Sequence, residues 1–166
     1  MNIIEKENGI ILEDVADFDP KHIFECGQCF RWRAEEDGSY TGVAMGKVIN
    51  VKREENNVII DNTTKEDYEN IWRDYFDMDT DYGKIKSTLK EFDEYLDKAV
   101  DFGWGIRILR QDSWEMLISF IISSNNRIPM IQRAIENLSE RYGKMIGEYR
   151  GKKYYAFPTP EELNKA

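Results

Sequence analysis

The spacing of apolar residues changes near residue 63, and this change limits the folds open to the chain. Before it, short runs with strand-like alternation are separated by turn-forming pairs such as Asp37-Gly38 and Met45-Gly46. The predicted strands cover residues 9–12, 29–33, 39–45, 46–52 and 57–61. Short connections favour an antiparallel meander. Strands followed by helices predict an α+β fold.

Helical periodicity dominates after residue 63. A capping box at Thr63 and Glu66 and the steps between later apolar residues predict helices over residues 63–75, 85–100, 112–122 and 128–142. The third helix is apolar nearly all round, which is typical of a helix buried on every side. We predict a domain seam near residues 101–105, so that residues 1–103 form a sheet domain and residues 104–166 begin a helical one.

The last residues, 157–163, have the pattern of another capped helix that stops after one turn. This ending predicts a piece of a longer protein or a truncated gene product.

Composition indicates a folded chain that works outside membranes. The chain has 166 residues, is 41% hydrophobic and has no apolar run near the roughly 18 residues of a membrane span. No basic-then-apolar signal pattern opens it, so we expect a cytoplasmic protein, nucleoid-associated in a prokaryote or nuclear in a eukaryote. The net charge of −9 is uneven: residues 104–166 hold 10 Lys and Arg against 7 Asp and Glu. An acidic partner is therefore expected to meet the C-terminal part.

Two motifs suggest other chemistry but match it poorly. Cys26 and Cys29 form a lone Cys-x-x-Cys, which fits a turn better than a zinc or redox site because strand-like residues follow it. Alternate aspartates at 77, 79 and 81 suggest calcium, yet Tyr82 and Thr88 stand where an EF-hand needs Gly and Glu. We predict no metal or other cofactor.

The segment from Ser119 to Arg127 runs from an apolar helix into the polar sequence Ser-Ser-Asn-Asn-Arg. We call residues 123–127 the elbow. Asn125 and Asn126 directly precede a predicted helix, whose free N–H groups and positive dipole end attract anions. Amide side chains can also donate to and accept from base edges. The elbow is therefore either a nucleic-acid contact or an elaborate helix cap.

Gly27 is the second candidate, within Gly27-Gln28-Cys29-Phe30-Arg31-Trp32. A glycine before a strand lets the backbone approach a flat ligand closely, although it also suits a simple turn. Phe30 and Trp32 are expected in the core.

Several segments together resemble 8-oxoguanine DNA glycosylases of the helix-hairpin-helix superfamily. They occur in that family's order and spacing from about residue 24 to residue 163, and they are residues 27–32, 75–77, 108–112, 119–126 and 157–160. Each motif alone is weakly specific, but their shared order is specific. The resemblance implies a sheet domain similar to half of the TATA-binding protein, followed by the first helices of an all-α glycosylase domain.

The resemblance also implies a function in base-excision repair. A monomer would bind damaged double-stranded DNA, excise flipped 8-oxoguanine and cleave the strand through a Schiff base. Gly27 matches the glycine whose carbonyl accepts the N7–H of the oxidised base. Asn125 matches the asparagine that fills the gap left by that base, and Asn126 belongs to the same loop. The family's catalytic Lys and its partner Asp would lie downstream, so we expect these 166 residues alone to be inactive.

Two residues depart from the family pattern. Arg127 stands where some relatives have a third Asn, and Met130 stands where vertebrate-type enzymes have an Arg that reads the opposite cytosine. Because Met cannot donate a bidentate hydrogen bond, we predict weaker discrimination of the opposite base. Two alternatives stay open: a non-catalytic DNA- or protein-binding module of the same fold, and a thiol-redox protein.

Overall fold

The computed structural model describes residues 2–164; Met1, Lys165 and Ala166 lie outside the described residues. Six strands form one antiparallel sheet in the order β1-β2-β6-β5-β4-β3. They are β1 (Ile3–Lys6), β2 (Gly9–Leu12), β3 (Trp32–Ala34), β4 (Tyr40–Ala44), β5 (Lys47–Glu54) and β6 (Asn57–Asp61). Helix α1 (Pro20–Glu25) joins β2 to β3. The α+β fold predicted from the sequence is confirmed.

The turns that connect the strands explain the register. Met45 and Gly46 both have positive φ, 51° and 72°, as a two-residue hairpin turn requires. This turn pairs Ala44 with Lys47 and sets the β4–β5 register. Strand β1 was not predicted, because most of it is exposed and lacks an alternating apolar pattern.

One face of the sheet is buried beneath a helical segment. Helix α2 (Lys65–Asp67), a π-helical turn (Tyr68–Trp72) and α3 (Arg73–Tyr75) run on continuously. Tyr68, Trp72 and Tyr75 are buried against the sheet, as their spacing predicted. The predicted capping box is wrong by one residue. Thr64 is the N-cap, whereas the Thr63 hydroxyl accepts the indole N–H of Trp72 at 2.8 Å.

The helix predicted over residues 85–100 is two helices, α4 (Tyr82–Lys90) and α5 (Glu94–Phe102). The Asp93 carboxylate accepts the N–H groups of Tyr95 and Leu96, both at 2.8 Å, so it starts a new helix. Phe92, which the periodicity predicted to be on the buried face, is 72% exposed.

The last described region contains α6 (Ser113–Ser123), α7 (Ile128–Tyr142), a hairpin of β7 (Met145–Tyr149) and β8 (Lys152–Tyr155), and the short α8 (Pro160–Leu163). A capping box of Thr159 and Glu162 opens α8, as predicted. The prediction that α6 is buried on every side is wrong, since Leu117 and Ile121 are 55% and 62% exposed. Within residues 2–164, no helix is long and apolar enough to span a bilayer.

Candidate nucleic-acid interface

Gly27 lies just after α1 in a conformation that suits glycine. Its φ is +87°, and no atom lies within 4 Å of the position that a Cβ would take. Its carbonyl accepts no hydrogen bond from any residue between 2 and 164. A backbone acceptor is therefore available at the position that the sequence singled out.

The next residue, Gln28, is held firmly. Its amide nitrogen donates to the carbonyls of Ile23 and Arg107 at 2.9 and 2.8 Å, and its amide oxygen accepts the Leu109 N–H at 2.9 Å. The carbonyl of Gln28 accepts from the Gln111 side chain at 2.7 Å. These bonds tie the Gly27 segment to residues 107–111, directly before α6.

A cavity of about 230 Å³ brings Gly27 next to the start of α7. Ile128 and Gln132 of α7 line the same cavity. Tyr40 also lines it, and its hydroxyl donates to Glu25 at 2.6 Å. Burial, reinforced by that carboxylate, raises the pKa of Tyr40. Ile128 directly follows the elbow, so Gly27 and the elbow lie on one surface of the molecule.

Arg31 connects this surface to α6 and to the hairpin. Its guanidinium donates to the Tyr155 carbonyl at 2.5 Å and lies 3.7 Å from the Glu115 carboxylate. Burial lowers the pKa of Arg31 and raises the pKa of Glu115, while the charge of each partner opposes that change. Arg31 therefore links the segment before β3 to α6, through Glu115, and to β8, through Tyr155. Both ionisable groups of the pair are largely shielded from water.

The elbow turns through Asn125, whose φ of 53° is left-handed. Asn126 is used within the loop: its side chain donates to the Ile122 carbonyl at 3.3 Å and accepts the Arg127 N–H at 2.9 Å. The N-cap of α7 is Arg127, and its side chain makes no capping bond. Asn126 thus fixes the shape of the loop before α7, and no elbow side chain caps that helix.

The other candidate residues, in the elbow and just after it, are exposed. Asn125 and Arg127 are exposed, and their side chains have no hydrogen-bond or ion-pair partner between residues 2 and 164. Met130, in the first turn of α7, is 53% exposed. An amide, a guanidinium and a thioether are therefore free to contact a ligand at the positively polarised end of α7.

The two competing motifs have structural roles. Cys29 is buried and its thiol donates to the Phe24 carbonyl, and burial raises its pKa, which is opposite to what a reactive thiol needs. Burial acts to raise the pKa of Asp77, but hydrogen bonds from Tyr82, Thr80 and Arg110 lower it overall. Asp81 caps α4. Among residues 2–164, no three His, Cys, Asp or Glu side chains are grouped to hold a metal.

Sequence reasoning missed the residues that support the site. Gln28 and Arg31 lie within a motif that the sequence highlighted. Their partners, Arg107 and Tyr155, are 79 and 124 positions further along the chain, and no local pattern reveals such contacts. Gln132 was missed because it is an ordinary polar residue on a predicted amphipathic helix.

Residues 10–117 match the family described as "8-oxoguanine DNA glycosylase, N-terminal domain". The N-glycosylase/DNA lyase of Saccharomyces cerevisiae is 52% identical over 59 residues, which cover 36% of this chain and 16% of that protein. The N-glycosylase/DNA lyase OGG1 of Arabidopsis thaliana is 24% identical over 147 residues, covering 86% of this chain and 40% of that protein.

Solved structures are similar over the whole chain. One is MBOgg1 in complex with a low-affinity DNA ligand: 56% identity, TM-score 0.95, covering 99% of this chain and 56% of that one. Another is the Clostridium acetobutylicum 8-oxoguanine glycosylase/lyase with dsDNA containing cytosine opposite 8-oxoG: 51% identity, TM-score 0.96, covering 100% of this chain and 57% of that one.

A 3-methyladenine DNA-glycosylase from Archaeoglobus fulgidus, 17% identical with a TM-score of 0.62, shares the fold over 93% of this chain and 57% of its own. The chain spans just over half the length of these solved structures and less than half of the curated relatives. The family match, which covers more than half of the chain, is supported independently by the fold and by the motifs around Gly27 and the elbow. This chain belongs to the 8-oxoguanine DNA glycosylase N-terminal domain family.

Proposed function

We propose that this chain supplies the lesion-recognition surface of an 8-oxoguanine DNA glycosylase with lyase activity, acting as a monomer on damaged duplex DNA in base-excision repair. The observation that carries the proposal is the Gly27 carbonyl, which has no hydrogen-bond partner among residues 2–164 and lies at a cavity that Ile128 also lines. One backbone acceptor and the elbow then face a single extruded base. The DNA-bound relatives support this assignment.

Gly27 would distinguish the oxidised base from guanine by one proton. The N7 atom of 8-oxoguanine carries a hydrogen and can donate to the Gly27 carbonyl, whereas N7 of guanine is an acceptor. A buried carbonyl that faces another acceptor loses its hydrogen bond, at a cost of about 1–3 kcal/mol. This cost corresponds to roughly a 5- to 150-fold preference for the lesion.

The elbow would stabilise the extruded state of the DNA. Flipping a base costs a few kcal/mol, and a side chain that occupies the vacated stack lowers that cost. Asn125 is exposed on a left-handed turn and is suited to this position. Arg127 and Met130 would contact the opposite strand, while Asn126 holds the loop in shape.

Binding of two duplexes tests the recognition claim. We expect the chain to bind an 8-oxoguanine:cytosine duplex about tenfold more tightly than the matched guanine:cytosine duplex, as measured by fluorescence anisotropy at low salt. Gly27→Ala should remove the preference, because Ala is strained at φ +87° and its backbone must move. Gly38→Ala is a matched control, since Gly38 also has positive φ and open space but lies in the β3–β4 turn, outside the lining of the cavity. Equal binding of both duplexes by the unaltered chain would refute the proposal.

We also propose that the 166 residues recognise the lesion without excising it. The resemblance assigns the Schiff-base Lys and its partner Asp to positions beyond this chain, and the lysines at 144, 152 and 153 match no catalytic motif. Borohydride reduction with a lesion-containing duplex should therefore trap no covalent adduct. A trapped protein–DNA adduct would contradict this part of the proposal.

Met130 bears on the choice of the base opposite the lesion. A protein that contains this region and the downstream catalytic residues should cleave 8-oxoguanine opposite all four bases within about tenfold. Met130→Arg should restore a preference for cytosine, because the guanidinium can donate two hydrogen bonds to one base. Strict cytosine preference with Met130 in place would show that another residue reads the opposite base.

The second candidate is a non-catalytic binding module, and the exposed apolar side chains of α6 favour it. Leu117, Phe120 and Ile121 are 55%, 48% and 62% exposed, which is more apolar surface than a helix normally leaves in water. Such a module would bind DNA or protein without preferring the lesion, so the duplex comparison separates the two functions.

A further inference from the structure

The Gln28 side chain joins the segment that contains Gly27 to residues 107–111, which lead through α6 to the elbow. Its amide donates both protons, to the carbonyls of Ile23 and Arg107, and accepts from the N–H of Leu109. A flipped amide would place its oxygen against the two carbonyl oxygens and its protons against the Leu109 N–H. The three bonds therefore fix the position and the orientation of the side chain.

The main chain of Gln28 is fixed as well. Its carbonyl accepts the Gln111 amide at 2.7 Å, so both ends of the residue are anchored to residues 107–111. The N–H of Gln28 belongs to the same peptide group as the Gly27 carbonyl. Gly27 itself has no side chain to pack and could take many conformations. The direction of its carbonyl must then be set chiefly by the anchored residue that follows.

Residues 107–111, which anchor Gln28, lead directly into α6, the helix that ends at the elbow. Asp112 caps α6 by accepting the Glu115 N–H at 2.9 Å, and α6 ends at the elbow that carries Asn125. The same hydrogen bonds thus set the direction of the Gly27 carbonyl and its spacing from the elbow. Displacement of a recognition group by about 1 Å can cost as much as 100-fold in rate.

We propose that Gln28 is a positioning residue for lesion recognition: its side-chain amide holds the Gly27 carbonyl in its acceptor direction and in register with the elbow. This inference rests on the proposed function for its biological meaning. Its physical content, that Gln28 orders Gly27, holds or fails independently of DNA.

Backbone ¹⁵N relaxation of the 166-residue chain tests whether Gln28 restricts the motion of Gly27. In the unaltered chain, Gly27 should have an order parameter near 0.85, as in rigid backbone, although it lies in a loop. Gln28→Ala should lower it below about 0.6, and Gln111→Ala, which loses one of the four bonds, should give an intermediate value.

Asn50→Ala is the matched control. Asn50 is also a buried amide with two donated bonds, to Ser39 and Thr41, but it lies within the sheet. It should lower the melting temperature while leaving the order of Gly27 unchanged, so a general loss of stability is distinguished from loss of positioning.

The duplex comparison completes the test. Gln28→Ala should retain binding to guanine-containing DNA and reduce the preference for 8-oxoguanine by about tenfold. If Gln28→Ala does not fold, the intermediate effects of Gln111→Ala decide the matter. Unchanged order at Gly27 and an unchanged preference in the folded variant would overturn the proposal. If order falls but the unaltered chain shows no preference for the lesion, the proposed function fails while the positioning role of Gln28 stands.

Discussion

The sheet and the α6–α7 pair have similar shares of apolar residues but bury them very differently. The sheet face, α1 and the α2–α3 segment enclose one continuous core, in which Ile10, Val51 and Trp72 are fully buried. In residues 2–164, the buried cluster beside α7 consists of Phe30, Ile131 and Ile135, with Ile122 of α6 partly buried against it. Large apolar side chains of α6 face outward instead.

This difference separates what keeps the molecule folded from what it presents to a ligand. Burial of apolar area is the main source of folding free energy, so the sheet region should dominate stability. The helical pair is held to the sheet region by a small apolar contact, in which Phe30 packs against Ile131 and Ile135. Ion pairs such as Arg31 with Glu115 and Arg33 with Glu136 add to it. Its position relative to Gly27 therefore depends on few contacts.

Truncation of a core side chain should reduce stability most. Trp72→Ala should lower the free energy of unfolding by about 3–5 kcal/mol, because it leaves a cavity and removes the bond to Thr63. Leu117→Ala, a smaller apolar truncation at an exposed position on α6, should change it by less than about 0.5 kcal/mol. Urea denaturation followed by circular dichroism measures both variants.

A loss above 2 kcal/mol for Leu117→Ala would remove the contrast between the two regions. It would mean that the α6 side chain is covered in solution, for example by self-association of the chain. Repeating the measurement at two protein concentrations would identify that cause, because stability from association depends on concentration.

Breaking the buried link between the regions should have the next largest effect. Arg31→Met removes the bond to the Tyr155 carbonyl and leaves Glu115 without its partner, at a cost of about 3 kcal/mol near neutral pH. Burial already raises the pKa of Glu115, and loss of the Arg31 charge should raise it further. A carboxyl group with a raised folded pKa contributes stability at low pH that is lost as the pH rises through that pKa. The cost of Arg31→Met should therefore be larger at pH 7 than at pH 4.

Arg73→Met provides the comparison for Arg31→Met. Arg73 pairs with Asp79 on the surface, where both side chains are more than half exposed, so its loss should cost less than about 1 kcal/mol. Carbon-detected NMR titration of the Glu115 carboxyl would measure the pKa directly. A Glu115 pKa that is unchanged in Arg31→Met would show that the two groups do not interact.

The strands of the sheet could be predicted because their turns are chemically explicit. Gly38 and Gly46 adopt positive φ, as the turns between strands require, and the residues on either side alternate between faces. The helices predicted from residue 112 and within residues 157–163 also have local start signals, since the Asp112 carboxylate and the Thr159 hydroxyl accept backbone N–H groups three residues on. These signals are local and need no knowledge of the rest of the fold.

What could not be predicted depends on distant parts of the chain. Periodicity continued smoothly through residues 85–100, yet the Asp93 cap divided that stretch into α4 and α5. The composition of α6 indicated burial, but burial depends on which elements lie beside it. For the site, the sequence identified Gly27 and the elbow, whereas the anchoring of Gln28 by Arg107 and Leu109 required the tertiary structure.

The smallest change in stability is expected at the elbow. Asn125 has a φ of 53°, where a side chain with a Cβ costs about 1–2 kcal/mol, Asn less than most and Gly essentially none. Asn125→Ala should therefore destabilise the chain by about 1 kcal/mol, whereas Asn125→Gly should preserve or slightly raise stability. Both variants remove the exposed amide, so both should weaken binding to lesion-containing DNA by a similar factor. If Asn125→Gly binds as tightly as the unaltered chain, the left-handed turn is what the elbow requires and the Asn125 amide makes no contact with DNA.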